Sequence, residues 1–293
     1  MTDRWLGGPV AERILDAARA QVEARVRDGV RRPGLVSVHR AEATPFSVYL
    51  RQQAKSADRA GISFRSIALN PGDGAPELAR LVAGLDTDPG VHAVLVEHPL
   101  PPQWEFARAV DRLRPEKDVD GVGTANLGRL AAGRPLQVPA VARAALRLAQ
   151  ENHAPVEGHR VAVVGRSETV GRPLALLLLG RGIDATVTVA HSRTADLARS
   201  LAGSETIFSC VGHPGLLDRS TVPRGAAVVD VGLSTNPDPT RPSGVRIAGD
   251  ADPVSLDGWA SGLTPVPGGV GPLTVACLME NAVIGWKRLE GLP

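Results

Sequence analysis

The chain has 293 residues, of which 43% are hydrophobic and 22% charged, and its formal net charge is +2. That length allows one large or two modest domains with a sizeable core. The small charge, with no basic run interleaved with aromatic residues, argues against a nucleic-acid partner. No apolar run reaches the roughly 18–20 residues of a membrane span. Because the N terminus also lacks the layout of a secretory signal, we expect a cytoplasmic protein.

Cysteine and lysine are both scarce. Cys210 and Cys277 lie in apolar surroundings, which predicts buried thiols rather than a disulfide or a nucleophile. The lysines are Lys55, Lys117 and Lys287, so lysine chemistry has few possible positions. No metal site is expected.

Apolar runs alternate with helical patterns in two series. The first predicts strands at 35–38, 64–69 and 93–96, with helices near 45–60, 75–86 and 104–113. The second predicts strands at 161–164, 185–189, 207–211 and 227–231, with helices near 171–181 and 194–202. Such alternation predicts two α/β domains with parallel sheets, the second Rossmann-like.

The connections complete this outline. We expect the joint near residues 133–135, with a helix at 139–151 carrying the chain across. A final helix from about Pro272 would return to the first domain. Residues 234–243, which include Pro237 and Pro242, are interpreted as a surface loop. The predicted domains are therefore 1–138 plus 273–293, and 139–272.

A glycine-bearing turn follows the strand at 161–164. Its spacing is Gly-x-Ser-x-x-x-Gly, and a helix comes next. Such a turn brings phosphate close to backbone N–H groups at a helix N terminus, although a plain tight turn has the same appearance. The candidate cofactor-binding residues here are Gly165, Arg166, Ser167, Val170 and Gly171.

The end of the next strand indicates which dinucleotide binds. NAD sites place a carboxylate there for the ribose hydroxyl. This chain has His191, Ser192 and Arg193 instead, followed by Thr194. The hydroxyl of Ser192 and the cationic side chain of Arg193 suit a 2′-phosphate, and so does Arg166 in the preceding turn. Helix capping by Ser192 or Thr194 is a structural explanation that is compatible with this one. The two turns favour NADP.

Residues 264–274, with the sequence TPVPGGVGPLT, contain three prolines and three glycines before an apolar helical pattern. A rigid turn and helix start is the simplest explanation. The string nevertheless closely resembles the C-terminal signature of the methylenetetrahydrofolate dehydrogenase/cyclohydrolase family. Further strings of that family occur in the same order and spacing: GRS…VGRP at 165–173, HSRT at 191–194, DVG at 230–232 and GD at 249–250.

The resemblance implies a tetrahydrofolate derivative as substrate, bound in a cleft between the domains, and NADP as cofactor. Residues at the positions of Arg166 and Ser192 hold the 2′-phosphate in the family, and the turn with Val211 and Gly212 resembles its nucleotide-contacting loop. The glycine-rich string would form a wall facing the substrate, with Pro267, Gly268, Gly269 and Val270 as candidate binding residues. Family members are commonly homodimers.

The resemblance also implies roles in the first domain. Tyr49, the only tyrosine, matches a residue that stacks on the pterin. Asp120, in the string Lys117-Asp118-Val119-Asp120-Gly121, matches an aspartate that grips the pterin nitrogens; hydrogen bonding within a loop is the structural alternative. The string Asn126-Leu127-Gly128-Arg129-Leu130 matches as well.

The chain departs from the family at the catalytic lysine. The family has lysine four residues after the tyrosine, where this chain has Gln53. At about 100° per residue, Gln53 shares the helix face of Tyr49, whereas Lys55 points about 240° away. Glutamine forms hydrogen bonds but exchanges no proton near neutral pH. Cyclohydrolase activity is therefore expected to be weak or absent.

A second departure accompanies the first. Glu97 stands where the family has a glutamine that tunes the lysine. Two nearby carboxylates raise one another's pKa, so Glu97 beside Asp120 could act as a proton carrier; pairing with an arginine is the alternative. The loop at 40–46 and Val141, which replaces a threonine, also differ from the family.

The leading hypothesis is NADP-dependent oxidation of 5,10-methylenetetrahydrofolate, with Tyr49, Gln53, Glu97 and Asp120 as the candidate catalytic set. Two alternatives remain open. One is transfer of the methylene carbon, or a related cyclisation, in a specialised biosynthetic route. The other is a non-catalytic paralogue that binds nucleotide.

Overall fold

The computed structural model describes residues 1–41, 44–70, 72–98, 100–238 and 244–293. In chain order its strands and α-helices are β1 (Asp3–Arg4), α1 (Gly8–Arg27), β2 (Gly34–Arg40), α2 (Thr44–Arg59), β3 (Ser63–Leu69), α3 (Ala75–Thr87), β4 (Ala93–Val96), α4 (Phe106–Val110), α5 (Thr124–Ala131), α6 (Ala140–Glu151), β5 (Arg160–Val164), α7 (Gly171–Leu178), β6 (Thr186–Ala190), α8 (Leu197–Leu201), β7 (Thr206–Ser209), β8 (Ala227–Asp230), β9 (Ser234–Pro237), β10 (Val245–Ala248), β11 (Gly262–Leu263) and α9 (Val270–Leu289). A short 3₁₀ turn at Pro102–Trp104 precedes α4.

The chain divides into two compact units. One contains residues 12–140 and 275–293, and the other contains residues 1–11 and 141–274. We call them the three-stranded and the six-stranded unit after their parallel sheets. This division differs from the sequence-based boundaries at the N terminus, because β1 pairs with β11 and so places residues 1–11 in the six-stranded unit. The chain changes unit at residues 140–141, within α6.

The three-stranded unit has the strand order β3-β2-β4, with every pair parallel. The central strand β2 shows little alternation between buried and exposed side chains and is buried along most of its length. This is expected for a parallel sheet covered on both faces. Apolar side chains from α3 and β4, including Leu78, Val82 and Val94, form the core with Trp104. The strands therefore end together, which brings the residues after β4 close to the end of β2.

The six-stranded unit has the order β1-β11-β8-β7-β5-β6, and all its strand pairs are parallel. In this sheet β6 lies on one side of β5, and β7, which comes later in the chain, lies on the other side of β5. Ligands of open α/β sheets bind at the carboxyl ends of strands beside such a reversal. The fold class predicted from the sequence, α/β with a Rossmann-like parallel sheet in the C-terminal half, is confirmed.

The interpretation of residues 234–243 as a surface loop is wrong for its first part. Ser234–Pro237 forms β9 and pairs antiparallel with β10. The proline that suggested a loop stands at the end of the strand, where a missing N–H is tolerated. Residues 239–243 lie outside the described ranges. Among the helices that the structure describes, none combines the length and apolarity of a membrane-crossing segment.

Candidate functional site

The turn after β5 is built around two glycines. Gly165 has a φ of 117°, a left-handed backbone conformation that favours glycine. A Cβ on Gly171 would lie 2.3 Å from the carbonyl oxygen of Gly165, so the start of α7 approaches the turn too closely for any side chain. Ser167 Oγ accepts the N–H groups of Val170 and Gly171, both at 3.2 Å, and thereby caps the helix.

This cradle fits a phosphate-bearing ligand. The side chains of Arg166 and Ser167 are exposed beside it. The close approach of Gly171 to Gly165 leaves bare backbone at the positive end of α7, which favours an anion. The structure thus holds together all five candidate residues of this turn.

The turn after β6 is stabilised by its own side chains. Thr194 Oγ1 accepts the N–H of His191 at 2.9 Å, and His191 Nδ1 accepts the N–H of Arg193 at 3.1 Å. Ser192 and Arg193 are exposed. The helix that follows, α8, is capped by Asp196, whose carboxylate accepts the N–H of Arg199 at 2.9 Å, so neither Ser192 nor Thr194 caps it. The exposed Ser192 and Arg193 are therefore available to a ligand.

The buried Asp250 shapes the loop after β7. Asp250 accepts the hydroxyl of Ser209 at 2.6 Å and the N–H groups of Val211 at 2.9 Å and His213 at 2.7 Å. Val211 and Gly212 are exposed, and Gly212 has a φ of 77°. Asp250 thus fixes a loop whose tip is exposed at the carboxyl end of β7.

The strings DVG and GD have a structural explanation. A Cβ on Gly232 would lie 2.2 Å from the carboxyl carbon of Asp250, and one on Gly249 would lie 2.1 Å from Asp230 Oδ2. Only glycine lets the two segments approach so closely. Burial raises the pKa of Asp230 to about 6, while the N–H groups of Ala251, Asp250 and Gly232 oppose that shift. Burial, followed by the charges of Asp250 and Asp230, raises the pKa of the Cys210 thiol, which disfavours the nucleophilic thiolate.

The glycine-rich segment at 264–274 also belongs to the six-stranded unit. Gly7 donates its N–H to the oxygen of Gly268 at 3.0 Å, and a Cβ on Gly7 would lie 2.0 Å from the oxygen of Gly269. The Val266–Pro267 peptide is cis. The N-terminal segment therefore braces the turn, and α9 begins at Val270, slightly earlier than predicted.

A carboxyl–amide cluster lies beside β2 and β4 in the three-stranded unit. Gln53 on α2 is completely buried, and its Nε2 lies 2.5 Å from Oε1 of Glu97, which follows β4. Ser37 on β2 donates to the same Glu97 oxygen at 3.1 Å. Tyr49 lies one turn before Gln53 and forms a side-chain hydrogen bond with it. The structure brings Tyr49, Gln53 and Glu97 together, and places the exposed Lys55 elsewhere, as predicted.

Asp120 joins this cluster electrostatically. Burial, followed by the charges of Asp118 and Glu97, raises the pKa of Asp120 to about 7. Burial raises the pKa of Glu97, whereas its hydrogen bonds with Gln53 and Ser37 and the charge of His39 lower it. Burial, then Glu97 and Asp120, raises the pKa of Tyr49. Among the described residues no arginine pairs with Glu97.

The backbone of Asp120 is clamped from several directions. Its carbonyl oxygen accepts the N–H of Ala140 at 3.2 Å. Asn281 Nδ2 donates to the oxygen of the preceding residue, Val119, at 2.8 Å. A Cβ on Gly121 would lie 2.9 Å from the nitrogen of Pro139. These contacts hold Asp120 in one position without using its carboxylate.

The neighbouring residues of the Lys-Asp-Val-Asp-Gly string are structural. Lys117 Nζ donates to the carbonyl oxygens of Leu85, Asp86 and Asp88 at 3.1, 2.6 and 2.8 Å. Asp118 accepts the N–H groups of Gly121 and Gly123 and the Asn126 amide at 3.0, 2.8 and 2.8 Å. The string therefore builds the loop that presents Asp120, and Lys117 supplies no proton to the cluster.

Sequence reasoning missed the roles of Ser37, Asp118, Asp250 and Asn281. Their shared signal is a polar residue inside an otherwise apolar or glycine-rich pattern, which predicts a satisfied buried hydrogen bond. Of the loop at 40–46, residues 42 and 43 lie outside the described ranges, as does Pro99. Nowhere in the described ranges do three or more His, Cys, Asp or Glu side chains gather in a way that could hold a metal ion.

The parallel sheet, the glycine cradle and the carboxyl cluster define a two-unit α/β protein with a dinucleotide-type turn. Residues 6–120 match the family profile "tetrahydrofolate dehydrogenase/cyclohydrolase, catalytic domain", and residues 139–290 match the profile "tetrahydrofolate dehydrogenase/cyclohydrolase, NAD(P)-binding domain". The chain belongs to the tetrahydrofolate dehydrogenase/cyclohydrolase family.

Individual relatives agree over the full length. The bifunctional protein FolD of Desulfovibrio desulfuricans is 37% identical, over 96% of this chain and 97% of its own. FolD 1 of Paenarthrobacter aurescens is 39% identical, over 97% and 94%. The fold is similar to that of the Trypanosoma brucei methylenetetrahydrofolate dehydrogenase-cyclohydrolase crystallised with NADP and an inhibitor, with a TM-score of 0.92, 34% identity and 98% of each chain covered.

Proposed function

We propose that this protein oxidises 5,10-methylenetetrahydrofolate to 5,10-methenyltetrahydrofolate with NADP⁺, and that it hydrolyses the methenyl bridge weakly or not at all. Full-length similarity to FolD proteins supports the first part. The observation that carries the second is the buried Gln53, hydrogen-bonded to Glu97, at the position where the family resemblance implies a lysine.

The six-stranded unit supplies the nucleotide site. The cradle of Gly165 and Gly171 would hold the pyrophosphate, and Arg166 and Ser192 would bind the 2′-phosphate. NADP⁺, when bound, accepts a hydride from the one-carbon bridge of the folate. The protein contributes binding and orientation, which suffice for a reaction whose main requirement is positioning.

The three-stranded unit supplies the folate contacts. Tyr49 would stack on the pterin, and Asp120 would accept its N–H groups. Because Gln53 is neutral and Glu97 and Asp120 are acidic, this cluster carries no positive charge of its own at pH 7. The ionised form of Asp120, whose pKa of about 7 leaves it partly ionised at neutral pH, would stabilise the positive charge that develops on the methenyl product.

Hydrolysis of the methenyl bridge needs a group that exchanges protons at the reacting carbon. Gln53 does not do so. Lys55 is exposed, Lys117 is bound to three carbonyl oxygens, and Lys287 lies near the end of α9. None of the three lysines of the chain replaces the missing one.

The test measures two products separately. Purified enzyme with NADP⁺ and 5,10-methylenetetrahydrofolate is expected to form NADPH and the methenyl species in equal amounts, seen by absorbance. Addition of methenyltetrahydrofolate alone is expected to give no decay beyond the uncatalysed rate. Rapid enzymatic decay would contradict the loss of cyclohydrolase activity. Absence of NADPH in a single turnover, with transfer of labelled carbon to an amine, would instead support the methylene-transfer alternative.

We further propose a cytoplasmic homodimer, on the resemblance to the family. Sedimentation equilibrium of the purified chain tests the dimer, and a monomer over the whole working concentration range would contradict it.

A further inference from the structure

The turn after β6 binds most of its own backbone N–H groups. The N–H of Thr194 donates to the oxygen of His191 at 2.8 Å, which closes a four-residue turn. The N–H of His191 donates to Thr194 Oγ1 at 2.9 Å, and the N–H of Arg193 donates to His191 Nδ1 at 3.1 Å. Three of the four backbone donors of residues 191–194 are therefore used inside the turn.

The fourth donor is the N–H of Ser192. Among the residues that the structure describes, none accepts it. Ser192 and Arg193 are exposed, and neither has a positive φ, as in a type I turn. Ser192 thus presents two donors, its N–H and its hydroxyl, and the next residue in the chain carries a cationic side chain.

His191 holds this arrangement through the unprotonated nitrogen of its ring. A backbone N–H is always a donor, so Nδ1, which receives the N–H of Arg193, is an acceptor, and the ring proton lies on Nε2. The ring thereby takes the place of the side-chain oxygen of an Asx turn, in which Asn or Asp accepts the N–H two residues later. This hydrogen bond fixes the peptide group that joins Ser192 to Arg193.

We propose that His191 is a positioning residue for the choice of cofactor: it fixes the backbone of Arg193, so that the N–H of Ser192 stays open and donates, with the Ser192 hydroxyl, to the 2′-phosphate of NADP⁺. Backbone donors that are fixed before binding suit an anion, because they lose little entropy when it binds. NAD⁺ has a hydroxyl in place of that phosphate and gains less from the same donors. The inference rests on the proposed 2′-phosphate site formed by Arg166 and Ser192.

The first test uses the purified full-length protein without nucleotide. At pH 8 the amide proton of Arg193 should exchange with water more slowly than that of Ser192, measured by NMR and corrected for the rate of each amide in an unfolded chain. The difference should persist in His191→Asn, whose side-chain oxygen can accept the same N–H, and should disappear in His191→Ala. Equal corrected rates in the wild type would overturn the proposal.

The second test compares the dissociation constants for NADP⁺ and NAD⁺ by calorimetry. In His191→Ala the preference for NADP⁺ should fall by about fivefold, as expected for the loss of one oriented hydrogen bond, while the affinity for NAD⁺ changes little. His191→Asn should restore most of the preference. An equal loss of affinity for both nucleotides would indicate general damage to the turn and would overturn the positioning role.

Two substitutions at position 192 isolate the backbone donor. Both Ser192→Ala and Ser192→Pro remove the hydroxyl, but only proline removes the N–H, and proline is favoured at the second position of a type I turn. We expect Ser192→Pro to lower the NADP⁺ preference about fivefold further than Ser192→Ala does. Equal preference in the two variants would overturn the use of the backbone N–H.

Arg166→Gln separates this inference from the proposed site on which it rests. If Arg166→Gln lowers the NADP⁺ preference and His191→Ala does not, the proposed 2′-phosphate site stands and the role of His191 is wrong. If neither substitution lowers the preference, both are wrong.

Discussion

Asp230 and Asp250 form a chain of hydrogen bonds: Oδ1 of Asp230 accepts the backbone N–H of Asp250 at 3.0 Å, and the carboxylate of Asp250 in turn accepts the N–H groups of Val211 and His213. Asp230 ends β8 of the six-stranded parallel sheet, whereas Asp250 follows β10 of the antiparallel β9–β10 pair. A loop held by buried carboxylates keeps its shape before any ligand arrives, and this lowers the entropic cost of binding. The loop after β7, which we propose as part of the nucleotide site, is therefore preorganised by hydrogen bonds within the protein.

Replacing Gly171 with alanine is expected to weaken nucleotide binding. The new Cβ would lie 2.3 Å from the oxygen of Gly165 and 3.0 Å from the nitrogen of Arg166, so the cradle must open. We expect NADP⁺ affinity, measured by calorimetry, to fall by at least about tenfold, which is 1.4 kcal/mol. Gly128→Ala on α5 is the control, because nothing lies within 4 Å of a Cβ there. Equal affinity in the two variants would refute the steric explanation.

The exposed Arg166 and Ser192 are expected to select NADP⁺ over NAD⁺. Arg166→Gln removes a charged donor, and a hydrogen bond to a charged group contributes about 1.5–3 kcal/mol. We therefore expect KM for NADP⁺ to rise by about 10–100-fold and KM for NAD⁺ to change little. Ser192→Ala should act in the same direction with a smaller effect. A parallel rise of both KM values would show that these side chains do not contact the 2′-phosphate.

Cyclohydrolase activity is expected to appear only when both Gln53 and Glu97 are replaced by the residues that the family resemblance implies there, lysine and glutamine. In Gln53→Lys alone, the ammonium would pair with Glu97, and the pair would resist proton exchange. In Gln53→Lys/Glu97→Gln the lysine has a neutral partner, and a positioned acid–base group contributes about 10²–10⁴-fold. The rate of methenyltetrahydrofolate decay measures this. Equal activity of the single and double variants would contradict the coupling between positions 53 and 97.

Lys117 is expected to stabilise the fold rather than take part in chemistry. Lys117→Met leaves three carbonyl oxygens at the end of α3 without their donor, and each unsatisfied buried group costs about 1–3 kcal/mol. We expect a loss of about 3 kcal/mol or more in the free energy of unfolding, measured with urea. Lys55→Met, at an exposed position, should change it by less than about 0.5 kcal/mol.

The stability of the protein is expected to fall as the pH rises through the range of Asp120. Its pKa is about 7 in the folded protein against 3.8 for the free group, so the folded state binds the proton more tightly. The stability is fully present below about pH 4 and is lost progressively up to about pH 7. The loss of folding stability that accompanies full ionisation of Asp120 is of the order of 4 kcal/mol. Asp120→Asn should remove it.

Comparing the unfolding free energy of the wild type and Asp120→Asn between pH 4 and 8 checks this prediction. The unfolding free energy of the variant should increase relative to that of the wild type as the pH rises, and the difference should then reach a plateau. A constant difference across that range would mean that Asp120 titrates as a free carboxyl group.

The sequence alone determined the family, the α/β class and most strands and helices, because parallel strands are short continuous apolar runs and the glycine turns have no alternative residue. It also placed Gln53 beside Tyr49 and Lys55 away from it, since a helix has a fixed angle per residue. The nucleotide turns could be found because their chemistry is local in the chain.

Only the tertiary structure decided how distant residues combine. Ser37, Gln53 and Glu97 come from three separate elements, and no spacing in the sequence reveals their shared hydrogen bonds. The strand β9 was hidden by Pro237, and residues 1–11 joined the six-stranded unit because β1 pairs with β11, far away in the sequence. The raised pKa of Glu97 belongs to this second kind of information, because burial and neighbours set a pKa, and both are properties of the folded protein.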